Sequence, residues 1–146
     1  MSTFADADDV YNRIGRVLQE LASDPELTPV FMEADTCVRF ELHDPESVIT
    51  IGSRAGASVR VDFGASEQDP EVVIEMGADV AHSYLLGELD MTVALARGQM
   101  TAEGPVNKIL AVLPAFEPLL PRYRALVSPG NGGGSARGDE APGPGV

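Results

Sequence analysis

The chain has little of what metal centres, disulfide scaffolds and nucleic-acid-binding proteins require. Its 146 residues include one cysteine, two histidines, and 10 basic residues against 23 acidic ones. A single cysteine cannot form an internal disulfide, and so few nitrogen and sulfur ligands without characteristic spacing predict no metal site. The net charge of −13 repels phosphate backbones, and the basic residues are scattered in the sequence. We therefore expect no nucleic-acid partner.

Long apolar runs are also missing. No run approaches the roughly 20 residues that a helix needs to cross a bilayer, so no transmembrane segment is expected. The N-terminus is acidic, where a signal peptide would carry a basic region followed by an apolar one. These features predict a cytoplasmic protein, and the length fits one domain with its own core.

Helical spacing marks the first part of the chain. Apolar residues recur at steps of three and four at Val10, Ile14, Val17, Leu18 and Leu21. This spacing predicts an amphipathic helix over residues 6–22, and residues 29–34 predict a further turn or two. Gly15 costs this helix about 1 kcal/mol relative to alanine, so we expect the helix to depend on tertiary packing. Residues 1–36 are predicted to form an N-terminal helical segment packed on a domain of residues 37–127.

Strand signals occupy the middle of the chain. Apolar and polar residues alternate over 38–43, 58–63 and 71–76, and residues 48–51 form a fourth run. Each of the three alternating strands would have one dry face and one wet face. The connections at 43–47, 54–56 and 64–70 are short, which favours antiparallel hairpins and a meander.

Short helices and one more strand are predicted next. Helical spacing indicates a helix at 80–86 that ends at Gly87, and a second at 91–97 with Asp90 as its N-cap. A fifth strand is predicted at 99–103.

A further helix should begin at Gly104-Pro105. Pro114, Pro118 and Pro121 would break its continuation into short pieces. From residue 128 the chain is almost only glycine, proline, serine, alanine and charge, so 128–146 is predicted to be a disordered tail.

The order of these elements resembles the sterol carrier protein (type two) domain, in its bacterial branch. The resemblance covers about residues 37–126 and is strongest where Ala94-Leu95 is followed by Gly98, a short strand and Gly104. The matching segments are Ala78-Asp79, Leu86-Gly87-Glu88-Leu89, Met91 to Gly98, Gln99 to Gly104, Gly104-Pro105-Val106-Asn107-Lys108-Ile109-Leu110 and Leu113-Pro114.

This resemblance implies an α/β (α+β) fold: a five-stranded, mostly antiparallel twisted sheet covered on one face by helices. An apolar tunnel between sheet and helices would accept sterols, fatty acyl chains or similar molecules. The resemblance implies no cofactor and no catalytic residues. Many relatives carry basic residues in the strand where this chain has Gln99 and Thr101, so a neutral ligand is expected rather than an anionic one.

The second half of the chain has more apolar side chain than short elements beside a small sheet need. Its methionines and large aromatic residues suit an adaptable ligand surface. The alternative is that these residues are simply core, because helices placed on a sheet must be apolar on the covering side. The candidate tunnel lining comprises Met76, Val80, Tyr84, Leu85, Met91, Ala94, Leu95, Met100, Ile109, Leu113, Phe116 and Leu120.

The two histidines are the obvious acid–base candidates. His82 precedes Ser83, but adjacent helical positions diverge, so the pair does not predict a catalytic triad. His43 beside Asp44 is more simply a solvated turn. We therefore expect no catalytic residue.

Three other polar residues also have plain structural interpretations. Asp79 and Asp90 are expected to accept hydrogen bonds from free backbone N–H groups in the first turns of helices. Cys37, with nothing basic near it in sequence to lower its pKa, is expected to be a small inward or edge residue.

These observations predict a non-enzymatic carrier or binding protein for a neutral hydrophobic molecule. Tyr84, His82 or Gln99 would supply polar groups at the mouth, and residues 114–127 would act as a lid. The alternative is an accessory or dimerisation module that binds a partner enzyme of lipid or quinone metabolism. A third hypothesis, an isomerase or hydrolase, rests on His82 alone. We expect a monomer or weak dimer.

Overall fold

A computed structural model describes residues 3–53 and 58–127. The predicted tail at 128–146 and the predicted turn at 54–56 lie outside these residues. No helix in the described ranges is long and apolar enough to span a bilayer.

The N-terminal part is helical, as predicted. Its elements are α1 (Ala7–Val10), a π-helical turn (Tyr11–Gly15), α2 (Arg16–Leu18), α3 (Glu20–Ser23) and α4 (Thr28–Ala34). Gly15 has a packing role here, because a Cβ atom built on it would lie 2.7 Å from the Phe63 ring. The glycine therefore lets this segment approach the sheet closely, at the expense of helix propensity.

Five strands form one sheet in the order β3-β2-β1-β4-β5. The strands are β1 (Cys37–His43), β2 (Ser47–Ser53), β3 (Val59–Phe63), β4 (Val72–Gly77) and β5 (Met100–Glu103). The pairs β1–β2, β2–β3 and β4–β5 are antiparallel, which confirms the mostly antiparallel sheet. Val38, Phe40 and Leu42 of the central strand are buried, so the predicted dry face is the face that the helices cover.

The predicted meander is wrong at its last step. Strand β4 pairs in parallel with β1, with Val38 opposite Val72 and Leu42 opposite Met76. The connection 64–71 reaches across two strands, which its length allows at up to about 3.3 Å per residue. It crosses the outer face of the sheet, where Arg39 donates to the Gln68 carbonyl oxygen at 3.2 Å.

A glycine lies beneath this crossing. A Cβ atom on Gly52 would lie 1.9 Å from the Gln68 side-chain oxygen, so the missing side chain is the space that Gln68 fills. Cys37, opposite Gly52 in the register, is buried at the start of the central strand; it is not an edge residue.

Four helices complete the covering layer: α5 (Ala78–Leu85), α6 (Met91–Ala96), α7 (Val106–Phe116) and α8 (Leu119–Val127). Of the three prolines expected to break this region, only Pro118 lies between helices. Pro114 lies inside α7, where it is exposed, so water can bond the carbonyl group it leaves free. Pro121 lies in the first turn of α8, where a backbone N–H would have no partner within the helix, so the lack of one costs little.

Candidate functional site

A small apolar cavity lies between the sheet and the covering helices. Its volume is about 30 Å³, which is room for a water-sized group but not for a lipid. Every lining side chain is apolar except for the hydroxyl group of Tyr84. The lining comprises Ile14, Leu18, Phe40, Leu42, Met76, Ala81, Tyr84, Leu85, Met91 and Phe116.

An open cleft of about 260 Å³ lies on the other side of Tyr84 and Met91, which line both spaces. The cleft runs between the α5–α6 connection and the α7–α8 region. Its lining comprises Tyr84, Gly87, Glu88, Leu89, Asp90, Met91, Thr92, Leu113, Glu117 and Leu120. These two residues therefore border both an apolar interior and an accessible groove.

The twelve predicted lining residues divide into three groups. Met76, Tyr84, Leu85, Met91 and Phe116 line the cavity. Leu113 and Leu120 line the cleft, together with Tyr84 and Met91. The remaining five pack in or against the hydrophobic core without lining either space; they are Val80, Ala94, Leu95, Met100 and Ile109.

Five cavity residues are absent from the predicted lining. Phe40, Leu42 and Ala81 belong to β1 and α5, and Ile14 and Leu18 come from the N-terminal helical segment. The apolar stripe of residues 10–21 indicates that Ile14 and Leu18 are buried, because such a stripe must pack against another part of the protein. Periodicity alone does not name that partner.

The N-terminal segment is anchored to α5 by several contacts. The Thr3 backbone N–H donates to Asp79 Oδ1 at 2.8 Å. The Phe4 ring packs edge-on against His82 with centroids 5.5 Å apart, and the Arg13 guanidinium lies 5.4 Å from the centre of the Phe4 ring. Asp79 thus binds the backbone of Thr3, and the predicted cap on its own helix is wrong. Asp90 does cap α6, accepting from the Val93 N–H at 3.2 Å.

His82 joins α5 to α8. Its Nδ1 and the Tyr123 hydroxyl are 2.7 Å apart, and Tyr123 is fully buried. Burial, followed by the nearby Arg13 charge, lowers the pKa of His82 below its usual 6.5. The imidazole lines neither the cavity nor the cleft, so its contacts are those of a helix-packing residue.

The other polar candidates lie apart from both spaces. His43 is exposed beside Asp44, as expected for a solvated turn, and Gln99 is exposed without lining the cleft. Of the three polar groups proposed for a mouth, only Tyr84 lines the cleft. Within residues 3–53 and 58–127, no three His, Cys, Asp or Glu side chains are grouped so that they could hold a metal ion.

Comparison with known proteins finds similarity in structure and not in sequence. No family model matches the chain, and no curated protein matches it. The solution structure of sterol carrier protein domain 2 of Helicoverpa armigera superposes with a TM-score of 0.65 at 14% identity, covering 83% of this chain and 97% of that one. The chain has the sterol carrier protein 2 fold.

Two further structures share the sterol carrier protein 2 fold. A conserved hypothetical protein of Thermus thermophilus, described as possibly a sterol carrier protein, has a TM-score of 0.61 at 14% identity and covers 97% of both chains. The ubiquinone synthesis protein UbiJ-SCP2 has a TM-score of 0.55 at 16% identity, covering 75% of this chain and 90% of that one. At these identities the likeness establishes the fold alone.

Proposed function

We propose that this chain is a non-enzymatic carrier or binding protein for a hydrophobic molecule that is neutral rather than anionic. The observation that carries the proposal is the apolar cavity between sheet and helices, which shares Tyr84 and Met91 as lining residues with an open cleft. The sterol carrier protein domains with this fold support the same function. Burying a ligand's hydrocarbon would supply about 0.8 kcal/mol of binding free energy per CH₂.

The cavity must enlarge to receive such a ligand. Met91 is unbranched and flexible, and it is the first residue of α6. This helix has six residues, and the Asp90 side chain caps its first turn. The predicted lid at 114–127 is held more firmly: Tyr123 bonds His82, and Arg122 bonds both Glu20 and Asp24. We therefore favour movement of α6 and the 86–90 connection over movement of α8.

The test is ligand binding by a variant with a filled cavity. Ala81 is buried and lines the cavity, so A81L should occupy the space that a ligand needs. We expect its affinity for a fluorescent sterol or fatty-alcohol probe to fall at least ~10-fold, while its circular dichroism stays unchanged.

Ala111 offers the matched control, because it is exposed on α7 and A111L adds the same atoms outside the cavity. Wild-type affinity in A81L would move the ligand to another site. Native mass spectra and organic extracts of the purified wild-type protein give an independent readout. If the purified protein contains no co-purified apolar molecule and also binds no probe, the carrier proposal is wrong.

The second candidate function is an accessory module for an enzyme of lipid or quinone metabolism. It is favoured by Val106 and Leu110, one turn apart on α7, which are 69% and 59% exposed. The likeness to the ubiquinone synthesis protein supports it as well. In that case L110D would abolish co-elution with a partner while leaving probe binding intact. Oligomeric state and cytoplasmic location stay predictions.

A further inference from the structure

One stripe of α7 connects the outer surface of the protein with the cleft. Val106, Leu110, Leu113 and Glu117, the C-cap residue of the helix, follow one another at steps of four, three and four. Side chains at this spacing lie on one side of a helix. Val106 and Leu110 are 69% and 59% exposed, whereas Leu113 and Glu117 line the cleft. An apolar path therefore runs from the exposed start of α7 to the cleft.

Helix α8 continues this surface on the other side of the cleft. Leu120 lines the cleft, and Arg124 lies one turn further along the same side of α8. A Cβ atom built on the cleft residue Gly87 would lie 3.6 Å from Arg124 Nη1, so the guanidinium group borders the cleft. These two stripes form one surface around the cleft, the α7–α8 face, which comprises Val106, Leu110, Leu113, Leu120 and Arg124.

The α7–α8 face belongs to a segment that is poor in acidic residues. The chain has 23 of them, yet Glu117 is the only one in 104–127, a range that the structure describes in full. The same range contains the basic residues Lys108, Arg122 and Arg124. Because buried carboxylates are costly to desolvate, an apolar partner can approach the protein here at a lower cost than at its acidic surfaces.

The size and charge of this face indicate what can cover it. A standard protein interface buries about 800 Å² on each partner, far more than two exposed side chains provide, so a second copy of the chain fits poorly. A bilayer surface needs no matching shape, and it binds exposed apolar side chains directly. The net charge of −13, with Glu88 and Asp90 across the cleft, would repel an anionic membrane. A bilayer without net charge fits both observations.

We propose that the α7–α8 face docks on the surface of an uncharged lipid bilayer. Val106 and Leu110 would insert among the lipids, and the cleft would open onto them. This inference rests on the proposed carrier function and adds the place where the ligand is exchanged. A hydrophobic molecule would move from the bilayer along Leu113 and past Met91 into the enlarged cavity, without crossing water.

The test is co-sedimentation with vesicles of phosphatidylcholine, alone or mixed with the anionic lipid phosphatidylglycerol. We expect the wild type to bind the uncharged vesicles, and to bind them equally well in high salt, because apolar contact is not screened. Binding to the mixed vesicles should be weaker at low salt. The variant V106D/L110D should bind the uncharged vesicles at least ~10-fold more weakly.

The matched control is N12D/Q19D, which adds the same two charges at exposed positions of the N-terminal helical segment. It should bind the vesicles as the wild type does. Equal loss in both variants would assign the effect to net charge and overturn the docking face. So would wild-type protein that ignores the uncharged vesicles, or a wild-type dimer in analytical ultracentrifugation that V106D/L110D dissociates, since a second copy would then cover the stripe.

Binding of a neutral fluorescent sterol probe from vesicle-free solution separates this proposal from the carrier proposal. Both variants should bind the probe with wild-type affinity, which also shows that they fold. If the wild type binds the probe but no vesicles, the carrier proposal stands and the docking face is refuted. If the wild type binds vesicles through Val106 and Leu110 but binds no probe, the docking face stands and the carrier proposal is wrong.

Discussion

Gly104 offers a sharp test of how the sheet joins its last helix. Its φ of 134° lies in a region that side-chain-bearing residues rarely adopt. A Cβ atom built on it would lie 2.5 Å from the Glu71 carbonyl oxygen and 3.1 Å from the Val72 Cα. Both neighbours are backbone atoms at the start of β4, so neither can rotate away. The substitution G104A therefore meets two separate penalties.

The expected magnitude follows from these two penalties. A strained backbone conformation costs about 1–3 kcal/mol, and overpacking against fixed atoms costs about 1–3 kcal/mol more. G104A should thus lose about 2–6 kcal/mol of unfolding free energy, a large share of the 5–15 kcal/mol typical of a domain.

Gly98 separates the two penalties. It also has a positive φ, of 75°, but a Cβ atom there would have nothing within 4 Å. G98A should cost only the conformational term, about 1–2 kcal/mol. Urea denaturation followed by circular dichroism measures both variants. If G104A were no more destabilised than G98A, the close approach of Gly104 to β4 would be wrong.

Two predictions concern His82 and Tyr123. Because the pKa of His82 is lowered in the folded state, the unfolded chain takes up the proton first, and stability should fall as the pH drops below about 6.5. H82Q should flatten this dependence between pH 7 and 5, and H43Q, at an exposed site, should leave it in place. Y123F removes the hydroxyl group 2.7 Å from His82 Nδ1 and should cost about 1–3 kcal/mol in urea denaturation. A cost near zero would mean that this hydrogen bond does not hold α8.

Much of the fold could be predicted because local patterns determine it. The alternation in 38–43 and 71–76 gave the buried faces of β1 and β4, and the Asp90 cap with Gly98 bounded α6. The parallel pairing of β1 with β4 could not be predicted in this way. It comes with contacts such as that of Gln68 above Gly52, between residues 16 apart, which no local pattern encodes.

The candidate site was predicted less completely, for a related reason. Helical spacing shows which residues of α5 and α6 face inward, and Tyr84, Leu85 and Met91 do line the cavity. It does not distinguish a residue that faces a space from one that faces another side chain. Met100 has the same inward character as Met76, yet it packs fully in the core.

The N-terminal helical segment limits how the cavity can enlarge. Ile14 and Leu18 line the cavity, so the segment forms one wall of it. That wall is fixed from outside, because Thr3 bonds Asp79, and Arg122 of α8 bonds Glu20 and Asp24. With the sheet fixed on a second side, the walls left to move are those of α5, α6 and α7, which carry Tyr84, Met91 and Phe116. The contacts that hold the N-terminal segment in place therefore also direct any opening of the cavity toward the acidic cleft.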